Sequence, residues 1–376
     1  MTTDQTNYLN IGLMAISLVA AFILPFEVFL FSYAILGPLH YLTEISWLHD
    51  RKYFSPGKWD YIPLVILSFA ILLGGGATVM GEQTYETLAG AGFRPILDFL
   101  DEWGYDITFV AFGLALLFVL FKGTTQRIFG VFILLIAAYL FHAPEPAETM
   151  RGLPAYYEAI DSKYHNPYWA TFAVYIPTLI HVYIFTGAFM LVGALRRDSR
   201  TGYLSIIFFI FCAISCFIFL RDPSYYAAGG WAKSSYGDTF ERLNQFLMLH
   251  FGGLELSGLG ELDVFANPVS VMFARFIAFA YTYHYLNWFS KTKIIGWHKV
   301  PKARFIAVIV VWLASIALYL YNYSIGFRWL FLLSFAHVLL EFPLNHQSFI
   351  GIGKEVRMRF DGSKKAQLAK GGKGKG

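Results

Sequence analysis

Long apolar runs, separated by short polar segments that carry Gly and Pro, recur along the chain from Ile11 to Pro343. Such runs match the roughly 20 residues a helix needs to cross the hydrocarbon core of a bilayer. The pattern predicts about ten membrane helices, over 11–24, 26–48, 61–80, 106–121, 127–142, 169–195, 203–221, 268–290, 304–323 and 327–346. Pro25 and Glu27 interrupt the first apolar stretch. Because proline removes a backbone bond and blocks the preceding turn, that stretch reads as a pair of helices. The N-terminus lacks the basic region and small-residue cleavage site of a signal peptide, so the first span is expected to be retained. The fold class is all-α: a single transmembrane helical bundle over 1–350, then a basic Gly/Lys-rich tail over 351–376, which reads as disordered after Asp361.

Composition agrees. Of 376 residues, 57% are hydrophobic and 14% charged, against about 25% charged in ordinary soluble domains. Loop charges give an orientation. Arg51, Lys52 and Lys58, then Lys122 and Arg127, then Arg196, Arg197 and Arg200 fall on one side of the alternating spans. Lys291, Lys293, Lys299, Lys302 and Arg304, and the tail lysines and arginines, fall on the same side. By the positive-inside rule that side, with the C-terminus, is cytoplasmic, in what reads as a bacterial inner membrane. The segment 81–106 carries Glu82, Glu86, Asp98, Asp101, Glu102 and Asp106 against a single Arg94 and faces the other way. The net charge of +4 is spread over short loops and the tail, without the basic face and interleaved aromatics of a nucleic-acid binder.

Ionisable side chains inside a span are costly and usually have partners or work. Two spans carry the same pattern, His-x3-Glu-x4-His: His40, Glu44 and His49 in the second, and His337, Glu341 and His346 in the last. Positions four apart share one helical face, so each histidine stands with its glutamate as a ligand and orienter pair. His49 and His346 lie half a turn off that face and join only where the helix has ended or bent, which Pro343 allows for His346. His284 lies in the eighth span and His181 in the sixth. Counted from the cytoplasmic ends, His40, His284 and His337 fall about 9–14 Å in, and His181 roughly 8 Å deeper, so it reaches the layer from above or lines a pocket over it. The layer reads as a metal site of His40, His181, His284 and His337, with His49 and His346 as conditional members. Neutral imidazole with carboxylate and no thiolate suits iron, manganese or zinc, with non-haem Fe2+ first.

Outside that layer the expectations are plainer. Cys212 and Cys216 read as packing residues. Glu27 and Arg275, at similar depth, read as a structural ion pair. His142, His165 and His250 fall on the outer side and His298 in a cytoplasmic loop, all in surface or interface roles. The segment from Thr239 to Leu256 reads as an amphipathic helix on the outer interface.

The motif Gly37-Pro38-Leu39-His40-x3-Glu44 is similar to the Gly-x-Pro-His-Gly-x2-Asp signature of the Brp/Blh family, membrane enzymes that cleave β-carotene to retinal with iron and oxygen. Tyr281-Thr282-Tyr283-His284-Tyr285 resembles a later histidine-bearing span of that family, and His337 to Glu341 its closing His-x4-Asp segment. Here Glu replaces Asp, Tyr41 replaces the glycine after the first histidine, and the family's second motif has no counterpart. The resemblance implies iron on His40, His284 and His337, with His181 a fourth ligand and Glu44 and Glu341 orienting imidazoles or binding directly. It also implies molecular oxygen and a lipid-soluble substrate, carotenoid or another isoprenoid or acyl chain, entering from membrane lipid. Read from the residues alone, an ion- or proton-coupled transporter and a b-type haem protein remain alternatives. No protein partner is indicated.

Overall fold

The computed structural model describes residues 2–143, 162–163, 165–220, 222–253, 262–291, 296 and 299–361, and all ten predicted spans fall on helices. The longer helices are α1 Thr3–Ile23, α2 Pro25–Asp50, α3 Tyr61–Gly74, α4 Glu82–Glu102, α5 Gly104–Leu120, α6 Thr124–Phe141, α7 Pro167–Arg197, α8 Arg200–Ile218, α9 Gly230–Thr239, α10 Glu241–Phe251, α11 Pro268–Ser290, α12 Lys302–Tyr321 and α13 Tyr323–Phe360, of which α4, α9 and α10 carry no predicted span. Their starts follow local chemistry. Thr2 closes a capping box with Gln5 on α1, and Asn166, Ser199, Asn267 and Asn322 each accept a backbone N–H as the N-cap of α7, α8, α11 and α13. Pro25 opens α2 after the break at Leu24, so the first apolar stretch is a pair of helices, as expected.

Seven of the helices are long and apolar enough to cross a membrane: α1, α2, α6, α7, α8, α12 and α13. The pair α4 and α5, bent by 63°, makes an eighth if taken as one span. The expected number was ten. The difference lies in α3, which has 14 residues, and in α11, whose Arg275, Asn287, His284 and tyrosines lower its apolarity. That polarity has a reason. α11 is the inner helix, buried along most of its length against α1, α2 and α8, and a helix shielded from lipid need not be apolar all round. By contrast α6 and α12 present apolar side chains outward over nearly their whole surface.

Two apolar clusters frame the site. One gathers α1, α2, α8, α10 and α11 around Phe26, Phe29, Ile277 and Phe279; the other joins α3, α5, α7 and α13 around Leu64, Ala115, Phe185 and Phe342. Beside the second cluster, α3 meets α4 through a close approach at Gly74, where a Cβ would come within 2.3 Å of the Leu100 carbonyl oxygen. Backbone cannot swing aside as a side chain can. Gly74→Ala is therefore expected to destabilise the α3–α4 contact by about 1–3 kcal/mol, read as a lower thermal midpoint in detergent with metal content unchanged.

Arg275 and Glu27 do not form the expected ion pair. The Arg275 guanidinium, fully buried, donates to the Phe219 and Leu220 carbonyls just past α8 and to Tyr225 Oη, and lies over the rings of Phe22 and Tyr225. A helix C-terminus offers orphan carbonyls and partial negative charge, so it holds a cation without a carboxylate. Glu27 instead accepts from Tyr226 Oη and Gly229 N–H. Cys212 and Cys216 are unbridged and buried, with Cys216 Sγ bonded to the Cys212 carbonyl. The amphipathic segment after Thr239 is α10, packed onto α11 through Asn244, which donates to the Ser270 carbonyl; its last residues, like His298 and the tail from 362, lie outside the described residues.

Candidate metal centre

Four helices each deliver one imidazole. α2 brings His40, α7 His181, α11 His284 and α13 His337; all four are buried, and one ring nitrogen from each lies within 4.8 Å of the others. The backbone adapts where it carries them. α2 is π-helical over Ser32–Leu36, just before His40, and α7 is π-helical over Ala170–Phe185, which includes His181. Such widened turns redirect side chains and are frequent at functional sites. Together the four histidines form a buried group that can hold a metal ion.

The polar contacts argue for a cation at the centre. His337 Nδ1 lies 3.3 Å from the Leu333 carbonyl oxygen, which can only accept, so Nδ1 carries the hydrogen and Nε2 a lone pair. That lone pair faces His181 Nε2 at 3.0 Å. If Nε2 of His181 carried its hydrogen, the Nδ1 lone pair would face Glu341 Oε2, 3.3 Å away. If Nδ1 carried it, two lone pairs would face each other. A proton on both nitrogens would answer for this pair alone. His284 Nε2 and His40 Nε2 also lie 3.0 Å apart, a contact that one imidazole N–H donating to the other would satisfy, and one ion among the four nitrogens would serve both pairs. The spacing suits this: nitrogens held about 2.0–2.1 Å from one ion stand roughly 2.9 Å apart at right angles and roughly 3.4 Å apart at the tetrahedral angle.

Around the imidazoles stands a set of orienting groups. Thr186 Oγ1 lies 2.7 Å from His284 Nδ1. Glu44 Oε2 lies 3.1 Å from His40 Nε2 and has no hydrogen-bond donor on it, which leaves it within reach of an ion there. Glu341 is braced by Asn345, whose Nδ2 donates to Oε2 at 3.3 Å. Glu44 and Glu341 also touch each other, and the Lys291 ammonium faces both. Tyr41 stacks on the His337 ring, centroids 4.3 Å apart, with its hydroxyl 2.8 Å from that of Tyr285. Gly37 makes room for this tyrosine pair, since a Cβ there would lie 3.1 Å from Tyr41 Oη.

His40, His181, His284 and His337 thus come together as one group, with Glu44 and Glu341 against them. His181 is a full member, not set above the layer. Counting from the helix end sets it too deep because α7 runs on to Arg197, so that end does not mark the membrane surface. The conditional members do not join. α2 continues to Asp50, and α13 continues through Pro343 to Phe360, so both outer histidines stay on the opposite face. His49 lies against Tyr53 Oη at 3.4 Å, and His346 donates to the Phe112 carbonyl at 2.9 Å. Thr186, Asn345, Lys291 and the Tyr41–Tyr285 pair carry no motif. Thr186 reaches His284 from another helix, and Asn345 stands one turn past Glu341, not past a histidine.

His142 was expected in a surface or interface role on the outer side. It is largely buried, stacked on Trp103 with centroids 3.9 Å apart. His165 and His250 lie beside each other, rings 5.4 Å apart, away from the centre.

No protein-family model, curated protein or solved structure matches this chain.

Proposed function

We propose that this protein is a membrane-embedded non-haem iron oxygenase acting on a lipid-soluble, isoprenoid or acyl substrate, with ten spans and its C-terminus on the cytoplasmic side. The observation that carries the reading is the convergence of four buried imidazole nitrogens within 4.8 Å of one another, with His181 Nε2 and His337 Nε2 facing at 3.0 Å, a contact that a cation among them would relieve. Charge supports it as well. A dication among neutral imidazoles in a low-dielectric interior calls for negative charge close by, and the carboxyl groups of Glu44 and Glu341, beside His40 and His181, would supply it by ionising against the ion. Four neutral nitrogen donors with a carboxylate in reach leave positions for further ligands on a six-coordinate ion, and such an ion, when bound, supplies oxygen activation.

The protein's own part is to hold that ion away from water and to present a greasy approach. A groove of about 480 Å³ runs along the helix that carries His181, lined by Tyr175, Leu179, Tyr183, Phe217, Phe273 and Phe276. Its lining suits a hydrocarbon chain arriving from the bilayer. The alternatives fit less well. The four imidazoles pack edge to face with centroids 4.6–5.3 Å apart, which leaves no slot for a porphyrin between two of them.

Purified protein is expected to contain one equivalent of iron, to show no Soret band, and to consume oxygen when a carotenoid or other polyene is added, with label from 18O2 in the product. Stoichiometric iron without oxygen uptake on any polyene or acyl lipid would overturn the oxygenase reading. A Soret band would replace the metal assignment with haem, and zinc or manganese in place of iron would correct its identity.

A further inference from the structure

We propose that the acidic end of the bundle holds a second, independent divalent-cation site, formed by His142 Nε2 and the Glu102 carboxylate, for a zinc-like ion. The site begins with an oriented imidazole. His142 caps the C-terminus of α6, and its Nδ1 lies 2.8 Å from Asp106 Oδ2 and 3.0 Å from Tyr105 Oη. Tyr105 Oη donates to the Ala143 carbonyl and accepts from Ala143 N–H. Neither its oxygen nor the carboxylate has a hydrogen to give His142, so Nδ1 carries a proton and Nε2 is the nitrogen left for a metal. Asp106 is itself fixed, since Tyr168 Oη donates to Oδ1 at 2.6 Å. This is the carboxylate–histidine arrangement that raises imidazole basicity and sets its tautomer for a metal.

The open nitrogen points at an acid. His142 Nε2 has no hydrogen-bond partner, although the side chain is only 9% exposed, and Glu102 Oε1 lies 3.6 Å from it. Two donors about 2.0–2.2 Å from one ion stand roughly 3.4 Å apart at the tetrahedral angle, close to that separation. Glu102 is half exposed, so water can complete the coordination. The surrounding charge favours a dication. Asp101, Glu102 and Asp106 all act on Lys163, whose ammonium burial pulls down and the three acids push back up. Three carboxylates around one ammonium leave an excess of two negative charges. The stacking of His142 on Trp103 holds the ring in place with or without an ion.

This site shares no residue with the four-histidine centre, so the two stand or fall separately. The test titrates Zn2+ into full-length protein in detergent by calorimetry, with Co2+ as a visible probe. The wild type is expected to take up one equivalent beyond the central ion, and His337→Ala to keep that equivalent. His142→Ala and Glu102→Gln should each lose it, and Asp106→Asn should bind 10–100-fold more weakly. Glu102→Gln changes only a half-exposed side chain, so an effect on folding does not confuse the result. Equal uptake in the wild type, His142→Ala and Glu102→Gln would mean an adventitious ion only. Retention of both ring protons on His142 at saturating zinc, by nitrogen NMR, would mean an imidazolium bridging Asp106 and Glu102, and would also overturn the site.

Discussion

His337→Ala is expected to strip the central ion, lowering its affinity by two or more orders of magnitude while the protein still folds. Four-ligand sites bind with about 10–16 kcal/mol in total, so one imidazole is worth roughly 3 kcal/mol, or more than a hundredfold. His40→Ala, His181→Ala and His284→Ala should behave alike, because each removes one nitrogen from the same group. The metal-free proteins carry the sharper signature. Without an ion, the wild type must accommodate the facing nitrogens of His181 and His337 at 3.0 Å, and deleting one ring removes that conflict. The metal-free variant should therefore melt close to the metal-free wild type, while added metal raises the midpoint of the wild type alone. Elemental analysis and melting curves check both halves. Full metal content in the His337 and His181 variants would sink the site.

How much of this was legible in the sequence depends on what each residue needed. The helices were readable because lipid imposes one rule on every span, and the ten apolar runs fall on α1 to α3, α5 to α8 and α11 to α13. Their role as spans was less readable. α11 is polar because the other helices cover it, and no one-dimensional hydropathy reports who covers whom. At the centre, His40–Glu44 and His337–Glu341 announced themselves by helical spacing. His181 had no companion on its own helix; its carboxylate, Glu341, comes from α13. Depth counting set it deeper because that count takes the helix end as the membrane surface, whereas α7 runs on to Arg197. His49 and His346 were left open on the condition that their helices end or bend. The helices continue through both positions, and even Pro343 is absorbed within α13. Arg275 and Glu27 matched in depth and in charge, yet each found backbone groups or tyrosines that sequence separation had hidden.

The second large effect concerns charge and not ligation. Glu341→Gln preserves the shape of the side chain and an oxygen acceptor near His181 Nδ1, but removes one of the two negative charges beside the centre. Loss of an orienting carboxylate typically costs 10–100-fold in metal affinity, and the same is expected here, with little change in stability. Two mechanisms can produce that loss: His181 turning out of position, or a dication left with a net positive surrounding. Lys291 separates them. Its ammonium faces both Glu44 and Glu341, so Lys291→Met removes one positive charge from the same neighbourhood without touching an imidazole. If charge balance is the cause, the double variant Glu341→Gln with Lys291→Met should recover at least part of the lost affinity, and Lys291→Met alone should bind metal more tightly than the wild type. If orientation is the cause, the two changes simply add and nothing is recovered. An unchanged affinity in Glu341→Gln itself would remove the carboxylate from the account of the centre, and would leave the four imidazoles to hold their ion without the neutralising partner that a membrane interior otherwise demands.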